Sequence, residues 1–512
     1  MKKVILKKNR YVDSVSLMGI GDKVKALGGI ENAEVSMGTP ANIEVLVDLG
    51  YEIPVDTTAN DLMLAVTADS EEKLDAAFKL IADIIDHKNS TPEGAAVYSK
   101  LSEIDLHEDG YDLAQISLPG EYAAAEAMRA IEMGLDVFIF SDNVSLDEEL
   151  KIKKFGAERG KLVMGPDCGV GLIKGVALAA GSIVRRGPVG IVGASGSGAQ
   201  EVSCLVEKMG LGVSAIIGTG GHDLLPEIGG ITMLAGMKRL EADPDTELII
   251  LVSKLADLTV MDKILTEADK LRKPVVAIFL GGDENLFKGH KVHGTFSLEA
   301  AAEKAVELIT GKPQKLGFSD EEIASIVDRE IKKYAPEQKY VRGLFSGGTF
   351  TEEGMIYYSQ HNKGIKLYSN LDTKYAEKLA DHNESIGHCI LDLGAEDFTA
   401  EAPHPIFDPA LKLRRLEKEL KDPSVAVVTM DFITGPGVHL DPVPPFAEAC
   451  KKILAERKGA ITFIANICGS LEDPQDVPAC EKMLRDAGVI VTASNYQSTK
   501  LASALMNALE NR

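Results

Sequence analysis

Apolar and polar positions alternate along the chain in a strand, helix, strand rhythm. Over residues 10 to about 90, the apolar runs YVDSVSLM, NAEVSM and DLMLAVTA are separated by helical patterns ending at Leu27 and covering 41–49 and 71–85. This alternation predicts a small α/β sandwich over 1–92. The polar run DHKNSTPEG, residues 86–94, reads as a linker because Pro and Gly interrupt a charged stretch.

From Asp112 the pattern is strand (LAQISLPG), Ala-rich helix (EYAAAEAMRAIEMG), strand (LDVFIFSDNV), helix and a short strand ending in KLVMGPDCG. The segment 93–185 therefore reads as a Rossmann-like remnant, too short for a complete Rossmann domain. At Pro188 a longer series begins: VGIVGAS, GVSAIIGTGG, TELIILVS and PVVAIFLGG are strands separated by helical patterns. This is the period of a flavodoxin-like, doubly wound parallel sheet over 186–312. Residues 310–339 are charged, carry Pro313 and Pro336, and read as a long connection. A second flavodoxin-like series follows over 335–512, with VRGLFSGGT, HCILDLGAED, VAVVTMDFITG, ITFIANICG and VIVTAS as its strands. The two series are weak internal repeats, each opening with a strand followed at once by Gly and hydroxyl residues. The expected class is multidomain α/β.

Composition changes this picture only at its edges. The 512 residues exceed what one core holds, and 45% hydrophobic with 26% charged residues is ordinary for a folded chain. A formal charge of −23 opposes binding to nucleic acid or to an anionic membrane surface. The start MKKVILKKNR lacks the apolar core of a secretory signal, and no uncharged apolar stretch is long enough to span a bilayer, so a cytoplasmic location is expected. Six scattered cysteines show no CxxC, and reduced, mostly buried thiols are expected. The ten histidines contain no HExxH, and His290 with His293 lacks the acidic helical neighbours of a metal site; no metal is expected.

Candidate chemistry sits in the loops. In GASGSGAQEV, Gly196 and Gly198 allow close backbone approach, while Ser195 and Ser197 place hydroxyls ahead of a helix. Such a turn binds phosphate or carboxylate, or simply packs a helix on a strand. It is not a P-loop, because Ala199 stands where a lysine is required. IIGTGGHD contributes Gly220, Gly221 and His222 at the end of the next strand; His222 reads as a general acid, a phosphate contact or a structural histidine. The second series repeats the anion-turn pattern in Ser346, Gly347, Gly348 and Thr349, and TGPGVH adds Gly435, Gly437 and His439. These loops form a second anion site or the other wall of a shared one. His404 with Asp408, His439 with Asp441, and Glu472, Asp473 and Gln475 lie in Pro-fixed loops; Cys468 reads as a reactive thiol or a buried structural one.

The run KLVMGPDCGVGLIKG, then GPVGIVGASGSGAQEV, IIGTGGHD and EADPDTELIILVS, resembles the succinyl-CoA synthetase α subunit. That resemblance makes 93–185 a CoA-binding-type domain and 186–312 an α-type domain. It puts Ser195, Gly196 and Ser197 at the turn starting the helix that faces a phosphohistidine, and Glu201 at the glutamate contacting that histidine. The last series, with SGGT, resembles the C-terminal domain of the synthetase β subunit. The chain has GPDC where the synthetase has GPNC, no GHAGA, and no ATP-grasp domain. The ordered set MGT (37–39), GPDCG, GASGSGAQE, HPxxDP, GxGxHxDP and DPQ resembles the FdrA family of acyl-CoA synthetase homologues over essentially the full length. That family implies an oxamate carbamoyltransferase subunit in allantoin or purine breakdown, exchanging a carbamoyl group between carbamoyl phosphate and a small amide acid within a hetero-oligomer. Under it, helix N-terminal amides hold phosphate and oxyanion, His222 or His439 carries the proton, and no cofactor is required. An acyl-CoA synthetase subunit that binds CoA and a noncatalytic scaffold are the alternative expectations.

Overall fold

The computed structural model describes every residue except 11, 13, 26, 89–99, 107–109 and 401. Residues 89–94 of the expected linker therefore lie outside the described residues, while 86–88 end the helix Glu71–Lys88. The chain forms two compact units, one of residues 1–110 with 398–403, the other of 111–397 with 404–512.

The first unit carries an antiparallel sheet in the order β1 (Lys2–Lys7), β3 (Leu62–Ala68), β2 (Ile30–Met37). Its first strand, KKVILK, is one that the reading from residue 10 onward does not include. YVDSVSLM, in contrast, runs into the helix Ser14–Lys25 rather than a strand. The lysines of β1 keep its edge charged while Ile5 packs inward. β3 is buried along its whole length because helices cover both of its faces. Helix Pro40–Asp48 begins where Thr39 accepts the N–H of Asn42 and Pro takes the first turn.

The second unit contains three sheets. A parallel three-stranded sheet, β4 (Leu113–Ile116), β5 (Asp136–Ile139) and β6 (Val163–Met164), is the short Rossmann-like segment. A hairpin of β7 (Val170–Ile173) and β8 (Val176–Ala179) follows, and it is hydrogen-bonded into the next sheet rather than into this one. That next sheet runs β13 (His293–Thr295), β12 (Val275–Leu280), β11 (Leu248–Lys254), β9 (Arg186–Gly193), β10 (Val213–Gly218), then the hairpin. The last sheet runs β16 (Glu377–Lys378), β15 (Leu367–Ser369), β17 (His388–Asp392), β14 (Tyr340–Phe345), β18 (Val425–Ile433), β19 (Thr462–Cys468), β20 (Ile490–Thr492).

Stripped of their additions, both large sheets have the parallel order 2-1-3-4-5, the flavodoxin-like doubly wound arrangement. The repeat read from the sequence is thus a repeat of topology. Continuous apolar strands such as LIILVSK and VAVVTMDFI are buried because helices cover both faces. One hydrophobic core runs through both sheets, from Val170 to Leu509, so the two repeats pack as a single body.

Residues 310–339 form no loose connection. Ser319 and Glu322 make a capping box that starts the helix Asp320–Glu330, whose Ile323 and Ile326 join the shared core. The charge of this stretch reflects an amphipathic surface helix. Among the described residues, no helix is long and apolar enough to cross a membrane.

Candidate functional site

Helix Gly196–Lys208 follows β9 and helix Gly348–His361 follows β14, each separated from its strand by two residues. Because the repeats share a core, the two helices present their N-termini to each other. Ser195 Oγ and Thr349 Oγ1 are 2.6 Å apart, and a Cβ built on Gly347 would lie 3.2 Å from Ser197 Cβ.

This junction opens into a cavity of about 330 Å³ lined by the Ser195–Gly196–Ser197 turn, Gly218, Gly220, Gly221, Gly348 and the Asp167–Cys168–Gly169 turn. Loops read separately in the sequence therefore meet, and the SGGT helix supplies the other wall of one shared cavity. Gly220 sits at φ +81°, and a side chain there would come 2.2 Å from the Pro166 carbonyl, so only glycine lets these turns close together.

The first amides of an α-helix have no intrahelical acceptor. Ser195 Oγ takes the N–H of Gly198 at 3.0 Å, which leaves those of Gly196 and Ser197 without a partner among the described residues. On the facing helix the amides of Gly348 and Thr349 are left in the same way. Three of these donors, on Gly196, Ser197 and Gly348, belong to residues that line the cavity, and two positive helix ends meeting there are a cradle for an anion. Lys254 closes β11 beside Gly348 and pairs with Glu352 at 2.8 Å. It adds a cation at the switch point of the first sheet, a position that the 2-1-3-4-5 order identifies once the strands are counted.

Ser346 and Gly347 are placed differently. Their N–H groups donate to the two carboxylate oxygens of Asp431, at 2.8 and 3.1 Å, and Lys412 Nζ lies 2.6 Å from that carboxylate. These amides are satisfied inside the protein and are not offered to the cavity. Burial lowers the Lys412 ammonium from its ordinary range, against the pull of Asp431. Nearby, burial lifts Asp392 to about 6 and pushes His404 down to about 4.

Gly435, Gly437 and His439 lie away from the cavity. A Cβ on Gly437 would meet the Ala179 carbonyl at 2.6 Å, so its glycine serves the docking of this loop against the β8 end. Gln475 brackets the loop by accepting the Gly435 N–H and donating to the Gly435 and His439 carbonyls. Asp473 ties the two repeats by accepting from Thr434 Oγ1 and the Ile183 N–H. Glu201 is buried below the helix junction and accepts the Asn495 N–H at 3.0 Å. Asn495 also donates to Glu353, and burial raises both carboxyls, Glu353 to about 7. The pair has a repeat logic: Glu201 stands six residues after Ser195, and Glu353 six after Gly347, the two helix N-caps. All six cysteines are buried free thiols; Cys168 lines the cavity with its thiol pushed up to about 12, while Cys468 lies in the core.

His222 follows the cavity-lining Gly221 in the chain, does not itself line the cavity, and is half exposed. Its Nδ1 lies 3.2 Å from Glu149 Oε2, on the helix Leu146–Glu158. Asp167, held at φ +52°, lines the cavity; burial, followed by the negative charge of Asp142, raises its carboxyl. His290 pairs with Asp269 at 2.9 Å, and neither it nor His293 lines the cavity. A larger cavity of about 490 Å³ lies at the ends of β12 and β13, between Phe296, Tyr357 and Tyr496, and contains none of the Gly and hydroxyl turns.

Comparison with known proteins adds three family matches. The family model for "AllF, heavy metal-associated domain" matches residues 1–99, that for the CoA binding domain 184–281, and that for CoA-ligase 344–505. The chain is 40% identical over 505 residues to the uncharacterized protein YahF of Escherichia coli, covering 98% of each chain. It is 26% identical over 271 residues to succinate–CoA ligase [ADP-forming] subunit alpha 2 of Archaeoglobus fulgidus, covering 50% of this chain and 90% of that one. The corresponding α subunit of Aquifex aeolicus is 25% identical over 255 residues, covering 46% of this chain and 81% of that one. A soft metal does not fit the first match: residues 1–99 contain no cysteine and one histidine, His87, whereas such sites need several thiolate or imidazole ligands. At about 330 Å³ the cavity at the helix junction has the size of a small-ligand site.

Proposed function

The chain belongs, with YahF, to a succinyl-CoA synthetase-like family of CoA-ligase proteins, and we propose on that premise that it is an acyl-transfer enzyme of the acyl-CoA synthetase type. Its cavity holds the phosphate of a small acyl phosphate. The observation that carries this reading is the 2.6 Å contact between Ser195 and Thr349, which sets the unpartnered amides of two helix N-termini around one cavity. Acyl transfer to or from phosphate needs donors for phosphate oxygens and for the oxyanion at the carbonyl carbon, and these amides supply both without a metal or ATP.

Carbamoyl transfer of the FdrA type is the finer reading, favoured by Asp167. A carboxyl group lining an otherwise anion-seeking cavity accepts an N–H, which a carbamoyl group offers and a simple acyl group lacks. In that form the chain exchanges a carbamoyl group between carbamoyl phosphate and an oxamate-like acid, together with other subunits of a hetero-oligomer.

Thermal unfolding with inorganic phosphate, acetyl phosphate, carbamoyl phosphate, oxamate and CoA, each added separately, tests these readings. Phosphate and acyl phosphates are expected to raise the melting temperature by mass action. Ser197→Asp, which puts a tethered carboxylate among the donors, is expected to abolish the shift. A shift larger with carbamoyl than with acetyl phosphate supports the finer reading, and a shift with CoA supports the ligase form. No shift with any phosphate overturns the proposal in favour of a scaffold.

A further inference from the structure

We propose that His222 and Glu149 form a carboxylate–imidazole dyad that carries the proton at the mouth of the cavity, with Glu149 as the positioning residue. The inference rests on the acyl-phosphate reading of the cavity. Glu149, Lys153 and Asp223 are each fully buried, drawn from a helix of the Rossmann-like segment and the loop after β10. Lys153 Nζ lies 2.8 Å from Glu149 Oε1 and 2.8 Å from Asp223 Oδ1, and donates to the Thr219 carbonyl at 2.9 Å. Asp223 is completed by the N–H groups of Thr232 and Met233 at the start of helix Ile231–Ala242.

The ammonium hydrogen-bonds to Asp223 and to the Thr219 carbonyl and ion-pairs with Glu149 Oε1, which makes no hydrogen bond, and the other carboxylate oxygen, Glu149 Oε2, is the one with a side-chain partner outside this cluster. It meets His222 Nδ1 at 3.2 Å. An ionised carboxylate only accepts, so the imidazole proton sits on Nδ1 and the Nε2 lone pair is directed away from Glu149. A purely structural ion pair has no need of a half-exposed histidine at its outer end. His222 directly follows Gly221, which lines the cavity with Asp167, and a Cβ built on Gly221 would lie 3.9 Å from Asp167 Oδ2.

In the transfer step, a nucleophile bearing an N–H or S–H attacks the carbonyl carbon of the acyl phosphate. Its proton passes to His222 Nε2 as the new bond to carbon forms. The C–O bond to phosphate then breaks, and the proton leaves His222 for the departing phosphate, which restores the neutral imidazole. Glu149 stabilises the transient imidazolium and holds the ring in the tautomer that can accept.

NMR of the full chain labelled with ¹⁵N-histidine reads the dyad directly, with His222→Gln assigning the resonance. The expected spectrum shows His222 protonated on Nδ1 at neutral pH; a ring protonated on Nε2 overturns the proposal. In Glu149→Gln the tautomer preference is expected to fall, and phosphate release from an acyl phosphate to slow by about 10²-fold at unchanged KM. An unchanged tautomer or an unchanged rate in a folded Glu149→Gln chain also overturns it. If that variant does not fold, the wild-type spectrum decides alone. A wild-type chain that shows the Nδ1 tautomer but binds no phosphate removes the acyl-phosphate reading and leaves the dyad standing.

Discussion

The two repeats tie down the residues before the helix in different ways. After β9 the Ala194 N–H goes to the Val252 carbonyl of the neighbouring strand; after β14 the N–H groups of Ser346 and Gly347 go to the carboxylate of Asp431, while the first helical amides of both repeats stay unpartnered. The difference comes from one position on the third strand of each sheet. Val252 pairs with Gly193 at the end of β9, whereas Asp431 follows Met430, the partner of Leu344, at the end of β14. With valine at that place the strand offers only its carbonyl, which accepts the Ala194 N–H. With aspartate, a side-chain anion fills the turn and Lys412 neutralises it. The neighbour strand therefore decides how the residues before each helix are anchored, and the first helical amides of both repeats are left for the cavity.

The largest expected effect comes from breaking the filled turn. Asp431→Ala leaves the buried Lys412 without its counter-charge and two amides without acceptors, and should cost about 3–5 kcal/mol in urea unfolding. Asp431→Asn paired with Lys412→Met should cost much less, because no charge then remains buried. A small effect of Asp431→Ala alone would mean that the second turn is not held by this ion pair.

A second test compares the glutamates at equivalent places below the two turns. Glu353 is raised from 4.5 to about 7 by burial, so in this range the folded chain binds a proton more tightly than the unfolded one. Its contribution is fully present below about pH 4.5 and is lost as pH rises through about 7. The shift corresponds to about 3 kcal/mol. Glu353→Gln should therefore gain about that much over the parent at pH 8 and little at pH 4.5. His404 acts in the opposite sense: it is neutral in the fold down to about 4, so its contribution is lost as pH falls. For that reason the difference between variant and parent, rather than the pH profile of either, isolates Glu353. Equal effects at both pH values would show that Glu353 is ionised in the fold.

Patterning made the repeat legible, because both sheets are built from uninterrupted apolar strands ending in Gly turns, and the Ser195, Gly220 and Gly348 positions could be read from the same turns. KKVILK escaped because its three lysines, with Lys8 after them, flank only three apolar residues, too short and too charged a run to read as a strand until its partner is known. The helix Asp320–Glu330 was hidden by its own solvent face. What decides the chemistry was not legible: Asp431 reaches back 85 residues to Ser346, and Glu149 reaches 73 to His222. Gly435 and Gly437 show the converse, since glycines that pack one loop on another have the same sequence signature as glycines that admit a ligand.

The smallest expected effect tests whether the two helix ends are coupled at all. Ser195→Ala removes the cap on Gly198 and the bond to Thr349, and should cost about 1 kcal/mol; Gly347, the equivalent cap position, has no side chain to lose. Thr349→Val removes only the shared bond. A double-mutant cycle should therefore show the two changes to be non-additive by about 0.5–1.5 kcal/mol, since the second removes a bond that the first has already broken. The same cycle read on phosphate affinity separates position from chemistry. If the hydroxyl pair serves to hold the two N-termini together, either substitution should weaken phosphate binding and the double variant should weaken it no further. Additive losses in affinity would mean instead that each hydroxyl contacts the anion by itself.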